Sequence, residues 1–339
     1  SYKLVLESSL FINNVDDYVS DSLDPDSEFS IHSFLYLKMD EKEIDPTIIN
    51  CTFINNEMYI IEANISGTLT ILDCTFTDYT AKHLLEVSYI SSLGTEKGTI
   101  YKNCTFQNSN TDTAVYGNMN NHTFTNCTFQ ENCKTILNHQ NPGPGAFLIN
   151  DTAFYTIIDC SFINNTGNAK GGAIMIYIKN IVEFDNARFI GNSLNNTFIS
   201  EDPHSGGAIY INQVIERYSS TPVPFTLRNC EFQDNFIKTS KSLGGAIFIK
   251  FSDEYLVQLS PITIEDCSFI RCSSSDRGGA ISSGDGDWHS TKATGDIILN
   301  YCNFTDCQSK YGGGIFCFNG NSNRDEDTNI TNIFKNIVN

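Results

Sequence analysis

Residues 160–176 read "CSFINNTGNAKGGAIMI", and both halves of that phrase recur along the chain. Aligned on a Cys-x-Phe core, the copies are "SLFINN" at 9–14, "CTFINN" at 51–56, "CTFTDY" at 74–79, "CTFQNS" at 104–109 and "CTFQEN" at 127–132. They continue as "CSFINN" at 160–165, "ARFIGN" at 187–192, "CEFQDN" at 230–235, "CSFIRC" at 267–272 and "CNFTDC" at 302–307. Steps between cores run from 23 residues (Cys51 to Cys74) to 43 (Ala187 to Cys230). Self-similarity on this scale marks a solenoid, a propeller or an array.

The residues before each core decide among these. Apolar side chains stand five and three positions upstream: Ile262 and Ile264 before Cys267, Phe225 and Leu227 before Cys230, Val182 and Phe184 before Ala187. That alternation is a strand with one face inward. The step from minus three to the Cys is odd, so a corner intervenes. The residue just before the Cys is mostly Asn or Asp, which tolerate left-handed backbone. Cys and Phe then point inward on a second short strand. From the sixth copy onward a third strand begins with paired glycines: "GGAIMIYI" 171–178, "GGAIYI" 206–211, "GGAIFI" 244–249, "GGAIS" 278–282 and "GGGIF" 312–316. A propeller would show four strands per blade and a steadier period. The expected fold is therefore all-β: a single right-handed parallel β-helix of about ten coils over 1–339, with loop insertions at the corners.

Stacking assigns roles to the repeated residues. The Phe of each copy should form an inward aromatic column. The Asn that closes a copy (Asn14, Asn56, Asn132, Asn165, Asn192, Asn235) should form an amide ladder. In the last two copies that position is Cys272 and Cys307, one coil apart, and a disulfide is expected there because the Cα separation suits one. The column Cys51, Cys74, Cys104, Cys127, Cys160 reads equally as buried thiols or as further bridges.

Composition narrows the class. A net charge of −19 argues against nucleic acid or an anionic membrane surface as partner. No apolar run reaches the roughly 18 residues that span a bilayer. The opening "SYKLVLESSLF" lacks the basic-then-apolar order of a signal peptide, so the chain reads as a mature product or an excised segment. Twelve cysteines without a C-x-x-C pair and only six His disfavour zinc. Asn-x-Ser/Thr stands at Asn50, Asn64, Asn103, Asn121, Asn126, Asn150, Asn164, Asn195, Asn303 and Asn329. Asn-rich and Thr-rich composition could generate such triplets by accident. Beside the cysteines, they point instead to a secreted eukaryotic glycoprotein carrying N-linked glycans, extracellular or at the cell surface. Asn303, between inward Cys302 and Phe304, must face outward; Asn50, Asn103 and Asn126 occupy corners, where stacking competes with glycosylation.

The alternation of F-x-x-N with G-G-A-I resembles the repeat of the chlamydial polymorphic outer-membrane proteins and of related surface β-helix proteins of protists. The matching residues are Phe162 with Asn165, Gly171 to Ile174, Phe189 with Asn192, Gly206 to Ile209, Phe232 with Asn235 and Gly244 to Ile247. In the first half only a degenerate "GAFL" at 145–148 is present. The bacterial family continues into a membrane β-barrel, which nothing here resembles, so the sequons favour a protist or other eukaryotic relative. The resemblance implies surface exposure and adhesion.

Chemistry has one candidate loop. "GDGDWHS" brings together Asp285, Asp287, the only Trp (Trp288) and His289, an acid pair with a sugar-stacking ring. The bland reading is a solvated insert, since no neighbouring coil offers a matching carboxylate with Arg or Lys. Acidic stretches 16–28 and 321–329 lack the spacing of a Ca²⁺ loop, so neither Ca²⁺ nor another cofactor is predicted. "PGPG" at 142–145 is turn chemistry. The chain is thus expected to be a non-enzyme. It opens mid-coil and closes on "NITNIFKNIVN" without a polar cap. That favours a structural glycoprotein self-associating head to tail into a surface fibre or coat, although cut edges of a longer protein would look the same. The alternatives are an adhesin whose side loops bind glycans or surface proteins, and a polysaccharide lyase or hydrolase centred on Asp285 and Asp287.

Overall fold

The structure, a computed structural model, describes residues 4–12, 33–38, 45–55, 59–65, 67–79, 83–89, 98–109, 113–118, 121–134, 143–150, 153–178, 180–195, 204–213, 223–251, 261–284, 296–317 and 333–335. Every strand pair among them is parallel. Sheet 1 has eleven strands, from Val5–Glu7 through Val182–Asp185 to Ile333–Lys335, one for each turn of the chain. Sheet 2 has ten three-residue strands, from Leu10–Ile12 to Asn303–Thr305. The third side is a four-stranded sheet from Ser33–Lys38 to Thr113–Asn118, followed by a six-stranded one from Phe147–Ile149 to Ile315–Cys317. This is a right-handed parallel β-helix.

Each corner has a cause in the sequence. Between sheets 1 and 2 the turn residue is left-handed in every described coil, as at Asn50, Asp73, Asn103, Asn126, Asp159, Asn186, Asn229 and Asp266. A second left-handed corner follows the strands of sheet 2 from Thr52–Ile54 onward, at Asn55, Asp78, Asn108, Glu131, Asn164, Gly191, Asp234, Arg271 and Asp306. The sequence reading missed this second corner, although Asn or Asp dominates the position.

The interior is built from three files. The Phe rings stack from Phe11 to Phe304, with neighbouring centroids 4.7–5.0 Å apart. Each buried ring contributes about 2–3 kcal/mol of apolar burial. Beside it runs the amide ladder. Nδ2 of Asn132, Asn165 and Asn192 each donates to Oδ1 of the next Asn at 3.0 Å, ending on Asn235. The second amide hydrogen goes to the carbonyl of Phe106, Phe129 or Phe162. Ser109 begins the ladder, its Oγ donating to Asn132 at 2.7 Å. The expected rungs Asn14 and Asn56 lie outside the described residues.

The third file is cysteine. Cys272 and Cys307 stand in adjacent coils but are thiols, as is the column Cys51, Cys74, Cys104, Cys127 and Cys160. In-register strands hold equivalent Cβ atoms about 4.8 Å apart with parallel Cα–Cβ vectors. A disulfide needs Cβ atoms roughly 3.5–4.5 Å apart, so a bridge between Cys272 and Cys307 would have to draw the two coils together. The thiols instead donate to backbone carbonyls: Cys74 to Leu72 at 3.1 Å, Cys160 to Ile158 at 3.2 Å, Cys272 to Phe232 at 3.4 Å. Burial pushes Cys74 up to about 12.

On the third side, Gly206 is left-handed at φ +73°, and a Cβ on Gly207 would run into the carbonyl oxygen of Gly245 one coil away. "GAFL" joins the same sheet through Phe147↔Ile174. Outward-facing Met175, Tyr210 and Phe248 are buried with Leu243 in a second, smaller apolar cluster.

Candidate binding face

Inserts enter the coil only on either side of the third sheet. The turn from sheet 1 to sheet 2 takes two residues in every described coil, from Ser8–Ser9 to Tyr301–Cys302. Sheet 2 and this corner therefore form one unbroken surface, roughly 43 Å long for nine strand spacings.

Register fixes what that surface presents. One file of outward side chains in sheet 2 reads Leu10, Thr52, Thr75, Thr105, Thr128, Ser161, Arg188, Glu231, Ser268, Asn303. The parallel file reads Ile12, Ile54, Thr77, Gln107, Gln130, Ile163, Ile190, Gln233, Ile270, Thr305. The only two charges in these two files cancel, since Arg188 Nε meets Glu231 at 3.0 Å. A neutral strip of hydroxyls, amides and isoleucines thus lies on a chain of net charge −19.

Both rims are hydrogen-bonded from coil to coil. Along the corner, Nδ2 of Asn103 donates to Asp73 at 2.8 Å, Asn126 to Asn103 at 2.9 Å and Asn186 to Asp159 at 2.7 Å. On the far rim Arg271 makes two 2.7 Å bonds to Asp234, which hold that carboxyl below the usual range. These bonds fix the backbone beneath the strip, so its donors and acceptors are preorganised.

The sequence-derived candidates are scattered relative to this face. Asp285, Asp287, Trp288 and His289 lie outside the described residues, as do both acidic stretches and Asn329. Among the described residues, no three His, Cys, Asp or Glu side chains are grouped to hold a metal ion. No described helix is long and apolar enough to cross a membrane. Asn303, Asn150 and Asn164 are exposed, whereas Asn121 and Asn195 are half-buried. Asn64 sits in the strand Tyr59–Ile65. Asn50, Asn103 and Asn126 are exposed corner residues whose Nδ2, the atom a glycan would take, already donates to the coil before, Asn50 to Ser8 at 3.3 Å. The strip itself was missed because chemistry was sought in the loops. Its signal was available: the residues one and three after each core Cys are almost all uncharged.

Comparison with known proteins places the architecture. The family model of the right-handed beta helix region matches residues 33–213, more than half of the chain. No curated protein matches it in sequence. Among solved structures, it is similar to the catalytic domain of a GH87 alpha-1,3-glucanase variant in complex with tetrasaccharides. That match has 11% identity and a TM-score of 0.40, over 98% of this chain and 63% of that one. A second such catalytic-domain variant, with nigerose, matches at 10% identity and a TM-score of 0.34, over 93% and 61%. The chain spans less than two thirds of the length of either.

Proposed function

The chain belongs to the right-handed β-helix family, and from that premise we propose that it is a non-enzymatic, extracellular, N-glycosylated recognition scaffold that binds neutral surface glycans or proteins. The observation that carries this reading is the insert-free neutral strip of sheet 2. Polar recognition on a rigid surface loses little entropy, and a neutral strip on an acidic body repels polyanions while admitting uncharged polymers. The sequons support the extracellular placement. The test is a glycan array and cell-surface binding assay with the glycosylated protein and a Thr105→Lys/Gln107→Lys double variant. Both positions face outward, so Tm should be unchanged while binding falls at least tenfold. Full binding by the double variant, or release of reducing ends from a bound polysaccharide, would sink the proposal.

A further inference from the structure

Three described cysteines are only half-buried: Cys133, Cys307 and Cys317. Their register partners differ. Cys133 pairs with Thr166 and Cys317 with Ser283. Cys307 lies between the pairs Ile270↔Thr305 and Ser273↔Gln308, which sets it opposite Cys272 in the coil before. It is therefore the one partly accessible described thiol with a second thiol as its neighbour.

The two members are unequal. Cys272 is fully buried at 0% exposure, and its Sγ accepts from Asn235 Nδ2 at 3.9 Å, in the place of the next amide rung. Cys307 packs at the edge of the core, its Sγ 3.4 Å from the Phe269 carbonyl. We propose that this pair is a reactive dithiol: Cys307 is a site of covalent modification by low-molecular-weight disulfides, and Cys272 resolves the adduct into an internal bridge. Cys307 is the more exposed of the two sulfurs, whereas desolvation raises Cys272. Attack thus begins at the accessible sulfur.

The steps balance. The Cys307 thiolate attacks one sulfur of oxidised glutathione, the glutathione S–S bond breaks, and one glutathione thiolate leaves. Cys272 then loses its proton to solvent and attacks the Cys307 sulfur. The mixed disulfide breaks, a second glutathione thiolate leaves, and Cys272–Cys307 forms. One glutathione disulfide is reduced and two protein thiols are oxidised. Closing the bridge draws the Cβ atoms in from about 4.8 Å, and the strained bond is correspondingly easy to reduce.

The test uses the full chain, reduced and then exposed to oxidised glutathione, with adducts located by peptide mass mapping. Wild type should accumulate the Cys272–Cys307 bridge. Cys272→Ser should stop at a mixed disulfide on Cys307, and Cys307→Ser should form neither. A brief iodoacetamide pulse on wild type, which needs no variant to fold, should label Cys307 at least tenfold faster than Cys133 or Cys317. Equal labelling of the three, or a lasting mixed disulfide on wild-type Cys307, would overturn the proposal.

Discussion

Up to Asn118 the third side of the coil is a single strand of six or seven residues, such as Tyr59–Ile65 and His83–Tyr89. From Thr166 onward the same side is folded in two. A two-residue strand, Thr166–Gly167, Ser193–Leu194 or Phe236–Ile237, precedes the glycine pair, and a five-residue strand follows it. The residue ahead of the pair forms an outer shelf, bridged from coil to coil through Lys170, Ser205, Leu243, Arg277 and Tyr311. Leu243 from this shelf closes over Met175, Tyr210 and Phe248. The glycine pair therefore adds more than a turn. It gives the second half a second apolar layer outside the solenoid.

The sharpest way to break the comparison is Gly207→Val. Its side chain would meet the Gly245 carbonyl, which is backbone and cannot swing aside. A loss above about 5 kcal/mol is expected, enough to unfold the glycine-pair coils. Because solenoid coils contact only their neighbours, the first half should survive as a protease-resistant fragment. Gly314→Ala serves as the control. Its Cβ would lie 3.5 Å from the Phe304 ring, an ordinary van der Waals contact, and urea denaturation should show less than about 1 kcal/mol of change.

Next in size is Asn192→Ala, at the centre of the ladder. It removes the acceptor of the Asn165 amide and backbone N–H, and strips the donor from the Phe162 carbonyl and Asn235 Oδ1. Several buried polar groups lose partners together, so roughly 3–5 kcal/mol should vanish from urea denaturation. The ladder joins the halves, so their unfolding transitions should also separate. A single cooperative loss would show that the apolar files alone couple them.

A pH titration separates the halves by chemistry. His122 lies in the first half beside buried Thr99, stacks on Tyr155 at 4.9 Å, and its ring nitrogens make no hydrogen bond to protein. Burial lowers its pKa from 6.5 to about 4. Because the folded value is depressed, the unfolded chain binds the proton first as pH falls. Stability is full above pH 6.5 and declines by about 3 kcal/mol as pH falls through 4. His122→Phe should remove that portion of the acid sensitivity. Unchanged acid unfolding in this variant would assign the effect to carboxylates.

The sequence made the repeated elements legible because each coil must solve the same packing problem. Phe162 and Asn165 could be read as inward files before any coordinates, and both are fully buried. Thiol geometry was not legible at Cys272, because register fixes the Cβ vectors and spacing alone does not. The neutral strip escaped notice for another reason. Thr105 and Gln107 are unremarkable singly and become a surface only when ten coils align them.

The smallest effect tests the corners that both halves share. Glu131 is left-handed at φ 54° where Asn108 and Asn164 occupy the equivalent turns, and Tyr301 is left-handed at φ 51° where Asn229 and Asp266 do. A branched or long side chain held there costs about 1 kcal/mol more than Asn, whose short amide can hydrogen-bond its own backbone. Tyr301 is 58% exposed, so its ring contributes little packing to lose. Tyr301→Asn also places an amide where Asp266 can accept from it, as Asp159 accepts from Asn186. Glu131→Asn gives up only the Gln130 Nε2 bond to its carboxylate at 3.1 Å. Each substitution should therefore raise stability by about 0.5–1 kcal/mol, the Tyr301 change slightly more. Thermal melts of the two single variants and the double decide it. The sites are many coils apart, so the gains should add; a gain at one corner only would mean that the two halves do not share the same turn energetics.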